Sequence, residues 1–245
     1  MVSKTVVTIL RHGETDHNRA GIIQGHLDIP LNAAGEAQAL VAGRWLAQQG
    51  TVFDEAWSSD LGRARRTAEI VLGQQKGGGV QLKEDARIRE RHLGNLQGKR
   101  RGDPGTDPST VEPIPVLRSR LFSFWSSLFP SHSPARTTAS DRPRQILYVS
   151  HGAAIREFIR AVLEEKVDDG VEGWSMRLPG EEEAALRSGS KRIDNCSRTM
   201  IEVEEVEDGK GSTVYRSTLL LYADDSHFAE SSRAPTPTAN ADVVE

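Results

Sequence analysis

Val6-Val7-Thr8-Ile9-Leu10-Arg11-His12-Gly13-Glu14-Thr15 and Ile146-Leu147-Tyr148-Val149-Ser150-His151-Gly152-Ala153-Ala154-Ile155-Arg156 decide how this chain of 245 residues folds. Each is an apolar run with the length and β-branched content of a buried parallel strand, and each ends in His-Gly. In open α/β sheets, ligands bind beyond the carboxyl ends of such strands. Two histidines delivered there, one with an adjoining arginine, suit phosphoryl chemistry. One imidazole can attack phosphorus while cationic donors hold its oxygens.

Working outward, a loop rich in Gly, Asn and Gln follows the first strand, from Gly13 to Pro30. Asn32 is the expected N-cap of a helix through about Gln49, with Leu40 and Val41 on its buried side. Val52 to Ser58 reads as a second strand. Ser59 or Asp60 then caps a helix in which Leu61, Ala64, Ala68 and Val71 or Leu72 keep helical spacing, and Gly77-Gly78-Gly79 ends that segment. Val80 to Glu84 reads as a short strand and 99 to 115 as a loop. Val116 to Phe129 gathers Leu117, Leu121, Phe124, Trp125 and Leu128 into an amphipathic helix. Residues 130 to 144 read as a mobile loop rich in Ser, Pro and Arg. Ile155, Phe158, Ile159, Val162 and Leu163 fit a helix laid on a sheet. Residues 165 to 192 are a charged insertion. Arg198 to Val206 and Thr213 to Tyr222 read as two edge-like strands, joined through Asp208-Gly209-Lys210-Gly211 as a hairpin. The expected architecture is a three-layer α/β/α sandwich with a mostly parallel central sheet, helices on both faces and a C-terminal hairpin. Residues 1–228 are expected to form a single domain and 229–245 a disordered tail.

Lys and Arg total 31 and Asp and Glu 35, a net charge of −4 that offers no reason to expect a nucleic-acid or membrane partner. Cys196 is the one cysteine, so an intramolecular disulfide is excluded, which fits a reducing compartment. No apolar run approaches the roughly 20 residues of a membrane span. Residues 1 to 5 pass directly into a strand, so no signal peptide is expected. A cytoplasmic protein is the expectation, and a homodimer is compatible with the chain.

Arg11-His12-Gly13-Glu14-Thr15, with Asn18 three residues on, resembles the signature of the histidine phosphatase superfamily, the phosphoglycerate-mutase-like fold. Ile22-Ile23-Gln24-Gly25-His26-Leu27-Asp28-Ile29-Pro30-Leu31 is similar to that family's substrate loop. Ser58-Ser59-Asp60-Leu61-Gly62-Arg63-Ala64 with Thr67-Ala68 resembles its second motif, and Arg89-Glu90-Arg91-His92-Leu93-Gly94 with Gln97-Gly98 its third. Val149-Ser150-His151-Gly152 is the fourth. Asn195-Cys196-Ser197 and Asp225-Ser226-His227-Phe228 look like closing elements. Four ordered motifs at strand ends make a chance match unlikely where RHGE alone is weak.

The resemblance implies a metal-independent phosphoric monoester hydrolase that acts on a small phosphate ester without a cofactor. His12 would be the nucleophile, although a histidine at this place can also be a hydrogen-bonded turn residue. Arg11 and Arg63 would grip phosphate oxygens through planar forks; Arg65 and Arg66 fit solvated helix positions better. His151 would donate to a phosphate oxygen, with Gly152 and Ala153 at a helix N-terminus that attracts anions. Asn18, Gln24 and Gly25 would complete the substrate side, with His26 beside them. Glu90 is the candidate general acid, its carboxyl raised by nearby phosphate charge, against the alternative of a surface salt bridge with the arginines around it. Glu14 orders the loop. Lys99-Arg100-Arg101 lies either at the pocket mouth or on a solvated face.

Three other readings compete. A phosphoglycerate mutase would use the same residues, but the short Gly/Pro-rich region after Gly98 lacks the long segment with which mutases enclose their cofactor. A metal-dependent phosphoesterase needs clustered carboxylates, whereas here arginines accompany the histidines. A non-catalytic binding member should have lost one of His12, Arg63, Glu90 or His151, and all four are present.

Overall fold

The computed structural model describes residues 3–75, 79–104, 107–129, 142–164, 174–177, 186, 191–207 and 212–229. The expected turn at 208–211, the tail from 230, and most of the loop 130–144 and of the insertion 165–192 lie outside these. Strand β1 (Ser3–Arg11) leads through α1 (Asp16–Ala20) into α2 (Ala33–Gln48), β2 (Glu55–Ser58), α3 (Gly62–Leu72) and β3 (Leu82–Glu84). Then come α4 (Ile114–Ser127), β4 (Arg144–Ser150), α5 (Gly152–Glu164), β5 (Trp174–Arg177), β6 (Arg198–Glu207), β7 (Thr213–Asp224) and the single turn α6 (Ser226–Ala229).

Among the described residues the strands form one sheet of seven, in the order β3-β2-β4-β1-β6-β7-β5. β3, β2, β4 and β1 run parallel, as crossovers through helices require. β6 pairs antiparallel with β1 and β7 antiparallel with β6, while β5 adds parallel to β7. The two C-terminal strands are therefore interior rather than edge strands. The far side of β7 is covered by four residues of the segment read as an insertion.

Alternation along β1 divides the molecule into layers. Val7 and Ile9, with Ile146 and Tyr148, pack under Phe124 and Trp125 of α4 and Phe158 and Ile159 of α5. Leu10, with Leu147 and Val149, packs under Leu46 of α2 and Ala64, Ala68 and Val71 of α3. Helices therefore cover both faces of this part of the sheet.

Helix α1 lies within the stretch from Gly13 to Pro30 read as a loop, and two longer helices also differ from their sequence reading. Helix α2 starts after the Asn32 cap as expected, but Leu40 and Val41 are only half-buried. Its inner side is Gly35, Gln38, Ala39, Ala42, Gly43 and Leu46. The small residues are there because backbone approaches backbone. A Cβ on Gly43 would lie 2.9 Å from the Val71 Cα, and one on Gly35 would lie 2.1 Å from the Glu14 carbonyl oxygen. Helix α3 is capped neither by Ser59 nor by Asp60. Its N-cap is Leu61, and Asp28 of the substrate-loop segment accepts from the Gly62 N–H at 2.7 Å. Asp60 instead pairs with Arg89, which holds its carboxyl below the usual range. The helix stops at Leu72, before the glycine run.

The Gly35 contact sets up a test. Alanine raises helix propensity by about 1 kcal/mol over glycine. Here the methyl group would meet main chain that cannot swing aside, and overpacking of that kind costs about 1–3 kcal/mol or more. Gly35→Ala is expected to lower the urea midpoint despite the better helix former. A raised midpoint would show that the two segments separate readily.

Candidate active site

Parallel pairing brings the two His-Gly segments together. Arg11 lies opposite Ser150 in the register of β1 and β4, and the His12 N–H donates to the Ser150 carbonyl at 2.9 Å. His12 and His151 leave the sheet side by side, with ring centroids 5.1 Å apart. Both are fully buried. His12 Nδ1 lies 2.7 Å from the Gly13 carbonyl. A carbonyl only accepts, so Nδ1 carries the proton and Nε2 carries the lone pair. That Nε2 is buried without a hydrogen-bond partner. Burial, then the charges of Arg63 and Arg11, hold the His12 pKa well below its ordinary value, so the ring is neutral. His151 is lowered for the same reasons, and neither of its ring nitrogens has a hydrogen-bond partner.

The arginines are aimed by the backbone. Arg11 Nη1 donates to the Ile193 carbonyl at 2.9 Å. Arg63 donates through Nη1 to Leu27 O and through Nη2 to Gly25 O, each at 2.7 Å, so it clamps the substrate loop onto α3. Thr67, one turn further along α3, accepts from the Gly13 N–H at 3.0 Å and donates to the Arg63 carbonyl. Gly25 sits at φ +50 with Gln97 against it, and Gln97 Oε1 accepts from the His26 N–H at 2.7 Å.

Asn18 and Thr15 form a capping box on α1, and the Thr15 hydroxyl lies 2.8 Å from Gln24 Oε1. Glu14 takes Arg19 and Asn32 on its carboxylate, the loop-ordering role expected of it. Arg100, next to Lys99, bridges Ile22, and the Lys99 carbonyl accepts from Ile23; Arg100 and Arg101 are exposed.

Glu90 is fully buried. Its Oε1 accepts from the N–H of Arg91 and of Ala154, each at 2.9 Å, and Oε2 accepts from Ala153 at 3.1 Å. The carboxylate thus occupies the first-turn amides of α5, just beyond His151. This differs from the sequence reading in one respect. The Ala153 amide, expected to meet phosphate, donates to Glu90, and Gly152 is the first residue of that helix. The Glu90 carbonyl accepts from His26 Nε2 and Arg120 Nη2, each at 2.7 Å. Of the arginines that made a surface ion pair a serious alternative, Arg87 pairs with Asp85 and Arg89 with Asp60, while Arg91 Nε donates to the Glu112 carbonyl.

Sequence reasoning gave Asn195 no role beyond a closing element. Its Nδ2 donates to the His12 carbonyl at 2.9 Å, a contact across 183 positions that local patterns do not encode. Among the described residues no three His, Cys, Asp or Glu side chains gather as a metal site, and no helix is long and apolar enough to cross a membrane.

Two histidines and Arg11 at strand ends, with Arg63 of α3 and the buried Glu90, thus meet on a mixed α/β fold. The chain belongs to the histidine phosphatase superfamily (branch 1), whose family model matches residues 7–178. It is 42% identical over 90 residues to a broad-specificity phosphatase of Saccharomyces cerevisiae, a match covering 37% of this chain and 39% of that protein. It thus spans about two fifths of that relative's length. It is 31% identical over 194 residues to fructose-2,6-bisphosphatase TIGAR B of Danio rerio, covering 65% of this chain and 75% of that protein. Among solved structures it is similar to a mycobacterial glucosyl-3-phosphoglycerate phosphatase. That likeness has a TM-score of 0.63 and 25% identity, over 92% of this chain and 100% of the other. Phosphoglycerate mutases also match.

The histidines make stability depend on pH. Burial, then the charge of Arg198, lowers His227 from 6.5 to about 4, with Asp224 opposing. Above pH 6.5 the imidazole is neutral in both states; below it the unfolded chain binds a proton that the folded chain refuses. Stability is therefore lost as pH falls from 6.5 toward 4, by up to about 1.4 kcal/mol per pH unit for each such group. His12, His26 and His151 act in the same direction. The urea midpoint is expected to drop over this window, and His227→Gln to flatten the drop. A midpoint independent of pH between 7 and 4.5 would contradict the buried neutral rings.

Proposed function

We propose that the protein is a metal-independent phosphomonoesterase that hydrolyses a small phosphorylated metabolite through a phosphohistidine at His12, with residues 1–228 acting as one catalytic unit. The observation that carries this reading is the buried, neutral His12 ring with its lone pair on an unpartnered Nε2 and His151 and two arginines around it.

In the first step Nε2 attacks phosphorus, an N–P bond forms and the ester P–O bond breaks. Glu90 enters this step protonated, its carboxyl raised by the charge of the bound phosphate, and gives that proton to the leaving alkoxide. Arg11, Arg63 and His151 hold the charge spread over the equatorial oxygens, with Asn18 completing the pocket. In the second step Glu90 takes a proton from water, the oxygen attacks phosphorus, the N–P bond breaks and inorganic phosphate leaves. His12 ends as it began. The chemistry needs a nucleophile with a free lone pair at neutral pH, and the lowered His12 pKa meets that need.

Hydrolysis of p-nitrophenyl phosphate in excess chelator tests the reading, followed by a panel of metabolite monoesters and bisphosphates. Activity that vanishes with chelator and returns with a divalent cation would replace it by metal-assisted hydrolysis. Interconversion of phosphoglycerates at rates far above phosphate release would select the mutase alternative, which the Glu90-to-Gly98 segment resembles. Binding of phosphate esters without turnover of any would select the non-catalytic member.

A further inference from the structure

Four residues just after the insertion grip the strand end that carries the nucleophile. The Ile193 carbonyl accepts from Arg11 Nη1 at 2.9 Å, and the Ser197 carbonyl accepts from the Arg11 N–H at 3.3 Å. The Cys196 N–H donates to Arg11 O at 3.0 Å and comes within 3.4 Å of His12 O. Cys196 holds φ +56, a left-handed conformation that side chains other than glycine seldom adopt, and this kink turns its N–H onto the strand end. The Asn195 side chain, fully buried, completes the grip: Nδ2 donates to His12 O at 2.9 Å and lies 3.4 Å from Asn18 Oδ1.

The second contact joins those of the Thr15 N–H and hydroxyl in setting which way the Asn18 amide faces. Asn18 Oδ1 also accepts from the Thr15 N–H at 3.2 Å. With donors from Thr15 and Asn195 on its oxygen side, Asn18 must turn Nδ2 the other way. That Nδ2 is buried and has no hydrogen-bond partner. An anion is the partner such an orphaned donor suits, and His12 Nε2 and both ring nitrogens of His151 are likewise buried without a hydrogen-bond partner.

We propose that Asn195 is a positioning residue for phosphoryl transfer: one amide fixes the His12 main chain and orients the Asn18 amide toward the bound phosphate. The proposal rests on the phosphohistidine reading above. It acts through two neighbours, so it predicts two separable losses. Misplacing the nucleophile slows the chemical step. Releasing the Asn18 amide weakens phosphate binding by about the tenfold that one hydrogen bond carries.

Asn195→Asp keeps the shape and sets an acceptor against two acceptors. On p-nitrophenyl phosphate its kcat is expected to fall about 10- to 100-fold. Inorganic phosphate, measured by calorimetry, is expected to bind about tenfold more weakly. In an Asn18→Ala background Asn195→Ser, which adds no charge, should still lower kcat but no longer weaken phosphate. If Asn195→Asp does not fold, Asn195→Ser removes the reach without adding charge and carries the same expectations at reduced size. A lowered melting temperature with kcat and phosphate affinity within twofold of the parent, measured well below melting, would overturn the proposal as a purely structural effect. So would an equal phosphate penalty in both backgrounds. A wild-type chain that hydrolyses no ester would strike the phosphohistidine reading instead, and the phosphate-binding arm would still read the coupling of Asn195 to Asn18.

Discussion

His12→Ala is expected to abolish both the phosphoenzyme and turnover while the fold persists. Rapid quenching of the parent enzyme with labelled ester should trap a phosphate that is labile to acid and stable to base, as an N–P bond requires. The variant should trap none. Loss of a nucleophile removes the covalent route, and the residual rate reflects only what the remaining donors do for direct attack by water. In a serine protease such a loss costs about 10⁶-fold in kcat, and a fall on the order of 10⁴-fold or more is expected here. The alternative is a turn histidine that satisfies a carbonyl. The Nδ1 bond to Gly13 by itself would serve that role, and the unpartnered Nε2 speaks against it. Full activity in His12→Ala would end the covalent mechanism.

The second large effect separates acid catalysis at Glu90 from positioning. A general acid matters in proportion to how badly the leaving group needs a proton. Nitrophenolate leaves unaided at neutral pH; a sugar alkoxide does not. General acids contribute about 10²- to 10⁴-fold. In Glu90→Gln, phosphorylation of His12 is expected to slow by that factor for alkyl phosphates and far less for nitrophenyl phosphate. Dephosphorylation should slow for both, since water has lost its base. Single-turnover formation of the phosphoenzyme with each ester is the measurement, because steady-state rates could hide the first step behind the second. The α5 contact adds a complication. Glu90 also caps that helix through Ala153 and Ala154, so the neutral amide should cost about 1 kcal/mol of stability. Rates must be read well below the melting transition. Equal slowing of phosphorylation for both esters would make Glu90 a positioning group only.

Much of the site could be read from residue order, for a local reason. Arg11 and His12 are carried by one strand end and His151 by another, and the apolar runs before them announce those strands. Asn32 caps the helix that follows it by a contact within three residues; Thr15 does the same for α1, a turn of helix inside the stretch read as a loop. What escaped were contacts between distant segments. The cap of α3 comes from Asp28, 34 residues away, so Ser59 and Asp60 were attractive local choices that the chain does not use. Leu40 and Val41 looked like the inner face of α2 because size suggests burial. Close backbone approach at Gly35 and Gly43 inverts that preference, since only residues with little or no side chain admit it.

The sequence by itself determined the layer order near the site, the histidines at the strand ends and the family to which the chain belongs. Each depends on periodicity or on motifs a few residues long, where spacing and side-chain chemistry suffice. Only the tertiary structure decided which nitrogen of His12 holds the lone pair, since that depends on where the Gly13 carbonyl points. It also decided that Glu90 meets the α5 amides and that Asn195 reaches the nucleophile. It placed β6 and β7 inside the sheet, because β5 pairs beyond them. Hydrogen bonds between segments depend on positions within about 3 Å, and such positions exist only once the layers have packed.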